Sequence, residues 1–165
     1  MSDKIKNRHY LKVKEIKNLQ NELRSTFNSV TFDKKTSFES GEYEGIKLFF
    51  LDNIPCFMIY KNKILFTIHG LNRYTPKEKY VVVDMGAVKF VTNGADVMAP
   101  GIVDADTNIA ENDQVWICDV NNKKPLAVGI AIISGDQMVA ENSGKAIITI
   151  HHVGDMLWSF GVKSL

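Results

Sequence analysis

The sequence predicts an α+β domain followed by a mainly β domain of the barrel type. Three observations support this fold class: one long amphipathic stretch near the N-terminus, a pair of apolar segments with hairpin spacing after it, and a series of short apolar segments beyond residue 79. Turn residues separate these last segments every roughly 8–12 residues, which is typical of barrels and sandwiches. A chain of 165 residues is long enough for two small domains. We place them at residues 1–75 and 76–165.

The first domain begins with a predicted amphipathic helix over residues 13–27. Its apolar face consists of Val13, Ile16, Leu19, Leu23 and Phe27. The polar segment 29–44 follows, with a turn expected at Ser40-Gly41-Glu42. Three strands are then predicted, at residues 46–51, 56–60 and 64–69, and the last two form a hairpin around Lys61-Asn62-Lys63.

The polar segment 71–79 contains Pro76 and predicts the linker between the domains. The second domain then starts with a strand at residues 80–84 and a short helix at 86–91, which Asn93-Gly94 terminates. An extended segment, 95–98, ends at Pro100-Gly101. The remaining elements are predicted as strands at 114–120, 126–133 and 146–151, one helical turn within 134–140, and a turn with a closing strand at 153–158.

Charge is distributed unevenly, although the net charge is only +1. Residues 1–40 carry +4, whereas residues 77–165 carry −4. The basic side chains near the N-terminus define a basic N-terminal face, made of Lys4, Lys6, Arg8, Lys12, Lys14 and Lys17. Such a face is either plain solvated surface or an attraction site for a polyanion.

Known catalytic and metal-binding patterns do not occur in the sequence. The chain has no Gly-x-Ser-x-Gly motif and no phosphate-binding loop. His151 and His152 are neighbours in a predicted strand and point to opposite faces, which does not suit chelation. The acidic cluster Asp104, Asp106, Glu111 and Asp113 lacks the glycine and glutamate spacing of a calcium loop. We therefore expect no enzyme activity, no metal and no cofactor.

The cellular location follows from two further features. Cys56 and Cys118 lie far apart in apolar segments, which is typical of reduced core thiols. No apolar run reaches the roughly 18 residues of a membrane span, and the first residues do not have the pattern of a signal peptide. We expect a cytoplasmic protein.

Residues 84–102 form the most informative stretch of the sequence. A short helix lies between two glycine turns and leads into a strand that ends in Pro100-Gly101. The small residues at 86–87 and 94–95 would let another backbone approach closely, and the amides near Gly86 and Ala87 could meet a phosphate. The alternative is that the glycines only serve tight turns.

This stretch resembles the signature of the PUA domain, which is named for pseudouridine synthases and archaeosine transglycosylases. The resemblance continues through residues 112–117, 125–131, 144–152 and 155–158. With Arg8-His9-Tyr10-Leu11 and residues 54–69, the whole chain resembles a pre-PUA α+β domain followed by a PUA pseudo-barrel. This architecture is that of the malignant-T-cell-amplified-sequence family of translation re-initiation and ribosome-recycling factors and of its archaeal homologues. We expect an archaeal source.

The resemblance implies a six-stranded pseudo-barrel that binds structured RNA, often near an acceptor-stem end. The RNA-binding residues that it implies are Lys89, Thr92, Asn93, Gly94, Ala95, Asp96, Met98, Pro100 and Gly101, with Met156 and Trp158 at the closing strand. Backbone amides near Gly94 would contact phosphate or ribose, and Asp96 would accept from a base edge or a 2′-hydroxyl.

The function expected from the resemblance is that of an RNA-binding translation factor that contacts tRNA or the small ribosomal subunit. A partner protein with an initiation-factor-one-like domain is implied by the eukaryotic relatives. Two alternatives remain open. One is an accessory PUA subunit for an enzyme that modifies tRNA or rRNA. The other is a protein–protein adaptor that no longer binds RNA, which the −4 charge of residues 77–165 favours.

Overall fold

The computed structural model of the protein describes residues 4–164, except for the side chain of Ser164. The chain forms two compact units. The first unit contains the chain up to Pro76 and again from Ser159 onward, and the second unit is Lys77–Trp158. The C-terminal end therefore differs from the sequence-based division, which assigned residues 76–165 to one domain. None of the described helices is both long and apolar enough to cross a membrane.

An antiparallel five-stranded sheet is the centre of the first unit, and its strands are ordered as they occur in the chain. The strands are β1 (Lys6–Tyr10), β2 (Phe38–Tyr43), β3 (Ile46–Leu51), β4 (Ile54–Tyr60) and β5 (Lys63–Phe66), and the helices are α1 (Val13–Thr26) and α2 (Ile68–Tyr74). Helix α1 buries Leu19, Leu23 and the adjoining Phe27, as its apolar spacing predicts. Val13 is an exception, since 70% of it is exposed.

Two sequence-based predictions for the first unit are wrong. Ser40-Gly41-Glu42 is not a turn but the middle of β2, where Ser40 is buried and Gly41 lies against Ile5. The segment 71–79 is not all linker, because α2 extends to Tyr74. The Thr67 hydroxyl accepts a hydrogen bond from the Gly70 amide at 3.0 Å and so caps this helix. Strand β2 was not predicted because its composition is polar. Helix α2 was not predicted because it is short, and its residues were assigned to the end of a strand and to the linker.

Six described strands form one mixed sheet in the second unit, in the order β7-β11-β10-β9-β6-β8. The strands are β6 (Tyr80–Val83), β7 (Val97–Met98), β8 (Ile102–Ala105), β9 (Gln114–Asp119), β10 (Pro125–Ala131) and β11 (Lys145–His152), and the helices are α3 (Met85–Thr92) and α4 (Gly135–Ala140). A 3₁₀ turn, Ala99–Gly101, separates β7 from β8. Strands β6 and β9 pair in parallel and the other pairs are antiparallel. The apolar core of the unit includes Val81, Val115 and Ile117, none of which is exposed.

The segment predicted as a closing strand is a helix instead. Helix α5 (Met156–Ser164) begins after Asp155, whose carboxylate accepts a hydrogen bond from the Trp158 amide at 2.8 Å. This is the geometry of an N-cap, which favours a helix start. Met156 and Trp158 are therefore helical residues. From Ser159 the helix belongs to the first unit, where the Phe160 ring stacks on Tyr43 at 4.0 Å between centroids.

Candidate nucleic-acid interface

A groove of about 410 Å³ opens on the second unit between α3 and the segment that contains β7 and the 3₁₀ turn. Helix α3 contributes one wall, with Gly86, Ala87 and Phe90. Met98 and Pro100 form part of the other wall. Sequence analysis predicted a site in this stretch, and Asp96, Met98, Pro100 and Gly101 of the predicted set line the groove.

Large apolar side chains are exposed along this groove. Phe90 is 63% exposed, and Met85 and Met98 are each 48% exposed. Solvent exposure of such side chains is unfavourable, and a group of them marks a binding surface more often than a single one does. Phe90 and Met98 line the groove directly. An aromatic ring and a thioether at this place can pack against the face of a nucleobase or ribose.

Phe90 was not among the residues expected from the sequence. The spacing of apolar residues within α3 could have pointed to it. The buried face of this helix consists of Val91 and the partly buried Ala87 and Val88. Phe90 is offset from Val91 by roughly 100° around the helix axis, so its ring points away from that face. An aromatic residue next to the buried stripe of a short helix is the pattern that could have identified it.

The turn at Gly94 terminates α3 through backbone hydrogen bonds. The Ala95 amide donates to the Phe90 carbonyl at 3.0 Å, and the Gly94 amide donates to the Val91 carbonyl at 3.0 Å. With Gly94 at a φ of +87°, this is a Schellman motif. These two amides are occupied within the turn, which weighs against the predicted contact of backbone amides near Gly94 with phosphate or ribose.

Gly94 is also closely approached by a side chain. A Cβ at this position would lie 2.9 Å from Nε2 of His152. The absence of a side chain thus serves both the left-handed backbone and the packing of the imidazole. A substitution at Gly94 would report on folding before it reported on ligand binding.

The N-terminal end of α3 is capped by a carboxylate. Asp84 Oδ1 accepts a hydrogen bond from the Ala87 amide at 2.8 Å. Because the Ala87 donor is occupied and the capping group is negative, this end does not suit a phosphate. The occupied Ala87 donor weighs against the phosphate expected at the amides near Gly86 and Ala87.

Asp96 is held in place by protein contacts. Its carboxylate pairs with Nζ of Lys145 at 2.9 Å and accepts a hydrogen bond from the Thr149 amide at 2.9 Å. The hydrogen bond from Lys145, together with that amide, holds the pKa of Asp96 below its usual value. Asp96 thus ties β11 to the chain before β7, in addition to lining the groove.

The other residues expected from the resemblance do not line the groove. Lys89, Asn93 and Ala95 are exposed near the end of α3, and the Thr92 hydroxyl donates to the Val88 carbonyl at 2.9 Å. Met156 is 51% exposed at the start of α5. Neither Met156 nor Trp158 is among the lining residues.

The basic N-terminal face lies on the first unit and is only partly available to a ligand. Arg8 pairs with Glu39 at 2.7 Å, donates to Asn53 at 3.0 Å and lies over the Phe50 ring. Arg8 is exposed but held by these protein contacts, so its part in the predicted face stays a prediction. Lys4, Lys6, Lys12, Lys14 and Lys17 are exposed.

The described residues contain neither an activated thiol nor a metal-binding cluster. Burial raises the pKa of Cys56 to about 12 and that of Cys118 to about 11, so both thiols stay protonated at neutral pH. Among residues 4–164, no three His, Cys, Asp or Glu side chains are grouped so that they could hold a metal ion.

Comparison with known proteins agrees with this arrangement. Residues 79–153 match the PUA domain, and residues 7–74 match a domain of unknown function, DUF1947. The chain is 42% identical to an uncharacterized protein of Methanocaldococcus jannaschii over 158 residues. This alignment covers 94% of this chain and 98% of that relative. A crystal structure of a hypothetical protein from Pyrococcus horikoshii has a TM-score of 0.80 and 34% identity, and covers 92% of this chain and 98% of that one.

Eukaryotic relatives match a smaller part of the chain. Translation machinery-associated protein 20 of Eremothecium gossypii is 31% identical over 102 residues, which are 58% of this chain and 56% of that protein. Malignant T-cell-amplified sequence 1 of Danio rerio is 34% identical over 95 residues, which are 56% of this chain and 52% of that protein.

The β-sheet unit with its α3 groove is therefore a PUA domain, an RNA-binding fold. The chain belongs to the family of archaeal proteins in which a DUF1947 region precedes the PUA domain. The resemblance to the malignant-T-cell-amplified-sequence family and the expected fold class are both confirmed.

Proposed function

We propose that the protein is a non-enzymatic RNA-binding factor of translation, and that the groove beside α3 receives an unpaired nucleotide of a structured RNA. The tRNA acceptor end and small-subunit rRNA are the RNAs that we favour. The observation that carries this proposal is the exposed Phe90 ring opposite Met98 in a groove of a PUA domain. Stacking on an aromatic side chain contributes about 1–3 kcal/mol per base.

The charges in the groove favour a base or ribose over a phosphate. Asp84 and Asp96 line it, and none of its described lining residues is basic. Both carboxylates already accept from protein donors, but a carboxylate has about four acceptor positions and can also accept from a base amino group or a 2′-hydroxyl, whereas its charge disfavours phosphate. The affinity for the RNA backbone would then come from lysines outside the groove, including Lys89 and those of the basic N-terminal face.

A role in translation is supported by similarity to a translation-associated protein. Translation machinery-associated protein 20 matches more than half of this chain. On this proposal the protein acts in the cytoplasm on tRNA or the small subunit, with a protein that bears an initiation-factor-one-like domain as a further partner.

Binding of labelled tRNA to the full-length protein tests the proposal. Phe90→Ala should weaken binding about tenfold, as expected for the loss of one stacking platform. Its stability should stay near that of the wild type, because 63% of Phe90 is already exposed. Val139→Ala is the matched control, since Val139 is 50% exposed on α4 and does not line the groove. Equal affinity of Phe90→Ala and the wild type would refute the groove assignment.

The adaptor function is a second candidate, and the ion pairs of the PUA domain favour it. Lys79 pairs with Asp113 at 2.7 Å and Lys145 with Asp96 at 2.9 Å, so part of the small basic complement is neutralised. An adaptor would bind the initiation-factor-one-like partner and would fail to shift tRNA even at low salt. Copurification with a modifying enzyme rather than with ribosomes would instead indicate an accessory subunit.

A further inference from the structure

We infer that the β1–α1 junction is a second RNA contact, where an unpaired base stacks on Tyr10. This inference rests on the proposed RNA-binding function and adds a binding surface that lies outside the PUA domain. The surface, called the junction patch below, consists of Tyr10, Val13, Lys12, Lys14 and Lys17.

Tyr10 and Val13 are the two most exposed large apolar side chains of the described residues, at 72% and 70%. They lie three positions apart, at the end of β1 and the start of α1. Scattered single apolar residues on a surface are ordinary, but two neighbours with such exposure form a small apolar surface. This surface is available to a partner without any rearrangement of the chain.

The backbone holds both side chains outward. Leu11, between them, is 8% exposed, and its amide donates to the Phe38 carbonyl at 3.0 Å. Tyr10 pairs with Glu39 of β2, and the Lys12 amide donates to the Glu15 carboxylate at 3.0 Å. Because strand, buried leucine and helix cap fix the backbone of the junction, Tyr10 is held at the surface and only its side chain has to be ordered on binding. A backbone that is already fixed loses little conformational entropy on binding.

Three lysines follow Tyr10 within seven residues of the chain. Lys12, Lys14 and Lys17 are all exposed, and Lys17 lies one helical turn from Val13. The neighbouring acidic groups are already engaged, since Glu15 caps the helix and Glu39 pairs with Arg8. Lys12 and Lys14 also lie near the positive end of the α1 dipole, where a cation is unfavourable. An anionic partner would relieve this repulsion.

An aromatic platform among lysines fits single-stranded RNA better than a duplex. A duplex presents only phosphates and groove edges, whereas an unpaired strand offers a base to Tyr10 and phosphates to the lysines. A bulge, loop or end of a structured RNA has both groups within one or two nucleotides. An acidic protein segment would use the lysines but would gain little from the ring face of Tyr10.

The test measures binding of a labelled single-stranded oligouridylate and of a duplex of equal length to the full-length protein. Tyr10→Ala should weaken binding of the single strand about tenfold and leave duplex binding unchanged, whereas Tyr10→Phe should retain the wild-type affinity. Equal weakening by Tyr10→Ala and Tyr10→Phe would show that the hydroxyl matters rather than stacking, and would overturn the inference. A circular dichroism melt that matches the wild type confirms that the variants are folded.

A second arm tests the charges. Changing Lys12, Lys14 and Lys17 together to Gln should reduce the slope of log K against log salt by about two, since each phosphate contact contributes roughly 0.7 for a single strand. An unchanged slope would overturn the lysine assignment. The same variants are tested with a polyglutamate peptide. If Tyr10→Ala weakened peptide binding as much as it weakens RNA binding, the patch would bind a protein partner instead.

The two proposals fail in different ways. If the wild-type protein does not bind tRNA, the proposed function itself is wrong. If it binds tRNA and Phe90→Ala weakens that binding while Tyr10→Ala does not affect the single strand, only the junction patch is wrong.

Discussion

Single residues of the candidate site have roles that composition and motif could only partly show. The resemblance placed Gly94 and its neighbours in an RNA site, but the amides of Gly94 and Ala95 are used to terminate α3. Asp96, expected to accept from RNA, is engaged by Lys145 and Thr149. Sequence identifies where a backbone turns, whereas the occupancy of a donor or acceptor depends on distant partners, such as Thr149, which lies 53 residues from Asp96 in the chain.

Gly94 gives a prediction about the stability of the fold. Gly94→Ala should lower the free energy of unfolding by about 2 kcal/mol, because an alanine at positive φ costs roughly 1–2 kcal/mol and its Cβ would also press on His152. Gly144 is the matched control, since its φ is +94° but nothing lies within 4 Å of a Cβ there. Urea unfolding of both variants measures the difference. If Gly144→Ala were as destabilising as Gly94→Ala, the contact with His152 would have no energetic weight.

Individual elements were predictable where an apolar pattern was strong. Strand β3 occupies residues 46–51 as expected, and α4 begins at a capping box of Ser134 and Gln137 within the predicted segment. Strand β2 pairs with both β1 and β3, and this pairing stabilises it although several of its residues are polar. It was missed because the prediction relied on an apolar pattern. Helix α5 was missed because the cap formed by Asp155 was not recognised in the sequence.

The start of α5 gives a pH-dependent prediction. Burial acts to raise the pKa of Asp155, but hydrogen bonds from His151, Trp158 and His152 outweigh it and hold that pKa below the ordinary 3.8. A lowered folded-state pKa means that the stabilisation is present above the unfolded-state value and is lost as pH falls through the folded-state pKa. Asn can still cap the helix, but it lacks the negative charge at the helix start and beside His151, so Asp155→Asn should be less stable than the wild type by about 1 kcal/mol at pH 7.

The difference should shrink as the pH falls below 3.8. Urea unfolding at pH 7 and at about pH 2.5 gives both values, under the linkage between protonation and stability. Asp136→Asn is the control, since Asp136 is an exposed residue in the first turn of α4. A gap between Asp155→Asn and the wild type that stayed constant with pH would show that the charge of Asp155 does not stabilise this helix start.

For the whole molecule, the uneven distribution of charge along the chain determines the role that we expect each segment to have in RNA binding. The PUA segment is acidic, and its groove presents apolar groups and carboxylates. The N-terminal segment is basic, and the exposed Lys12, Lys14 and Lys17 follow Tyr10 closely in the chain. We therefore expect RNA shape and unpaired bases to be read by the groove and the junction patch, while lysines supply the salt-dependent attraction.

RNA binding through the PUA groove can be measured by crosslinking in cells, followed by sequencing of the RNA bound to the full-length protein. We expect strong enrichment of tRNA or small-subunit rRNA, and we expect Phe90→Ala to reduce the recovery while Val139→Ala does not. Recovery of RNA at the background level, or equal recovery with Phe90→Ala and the wild type, would contradict this expectation.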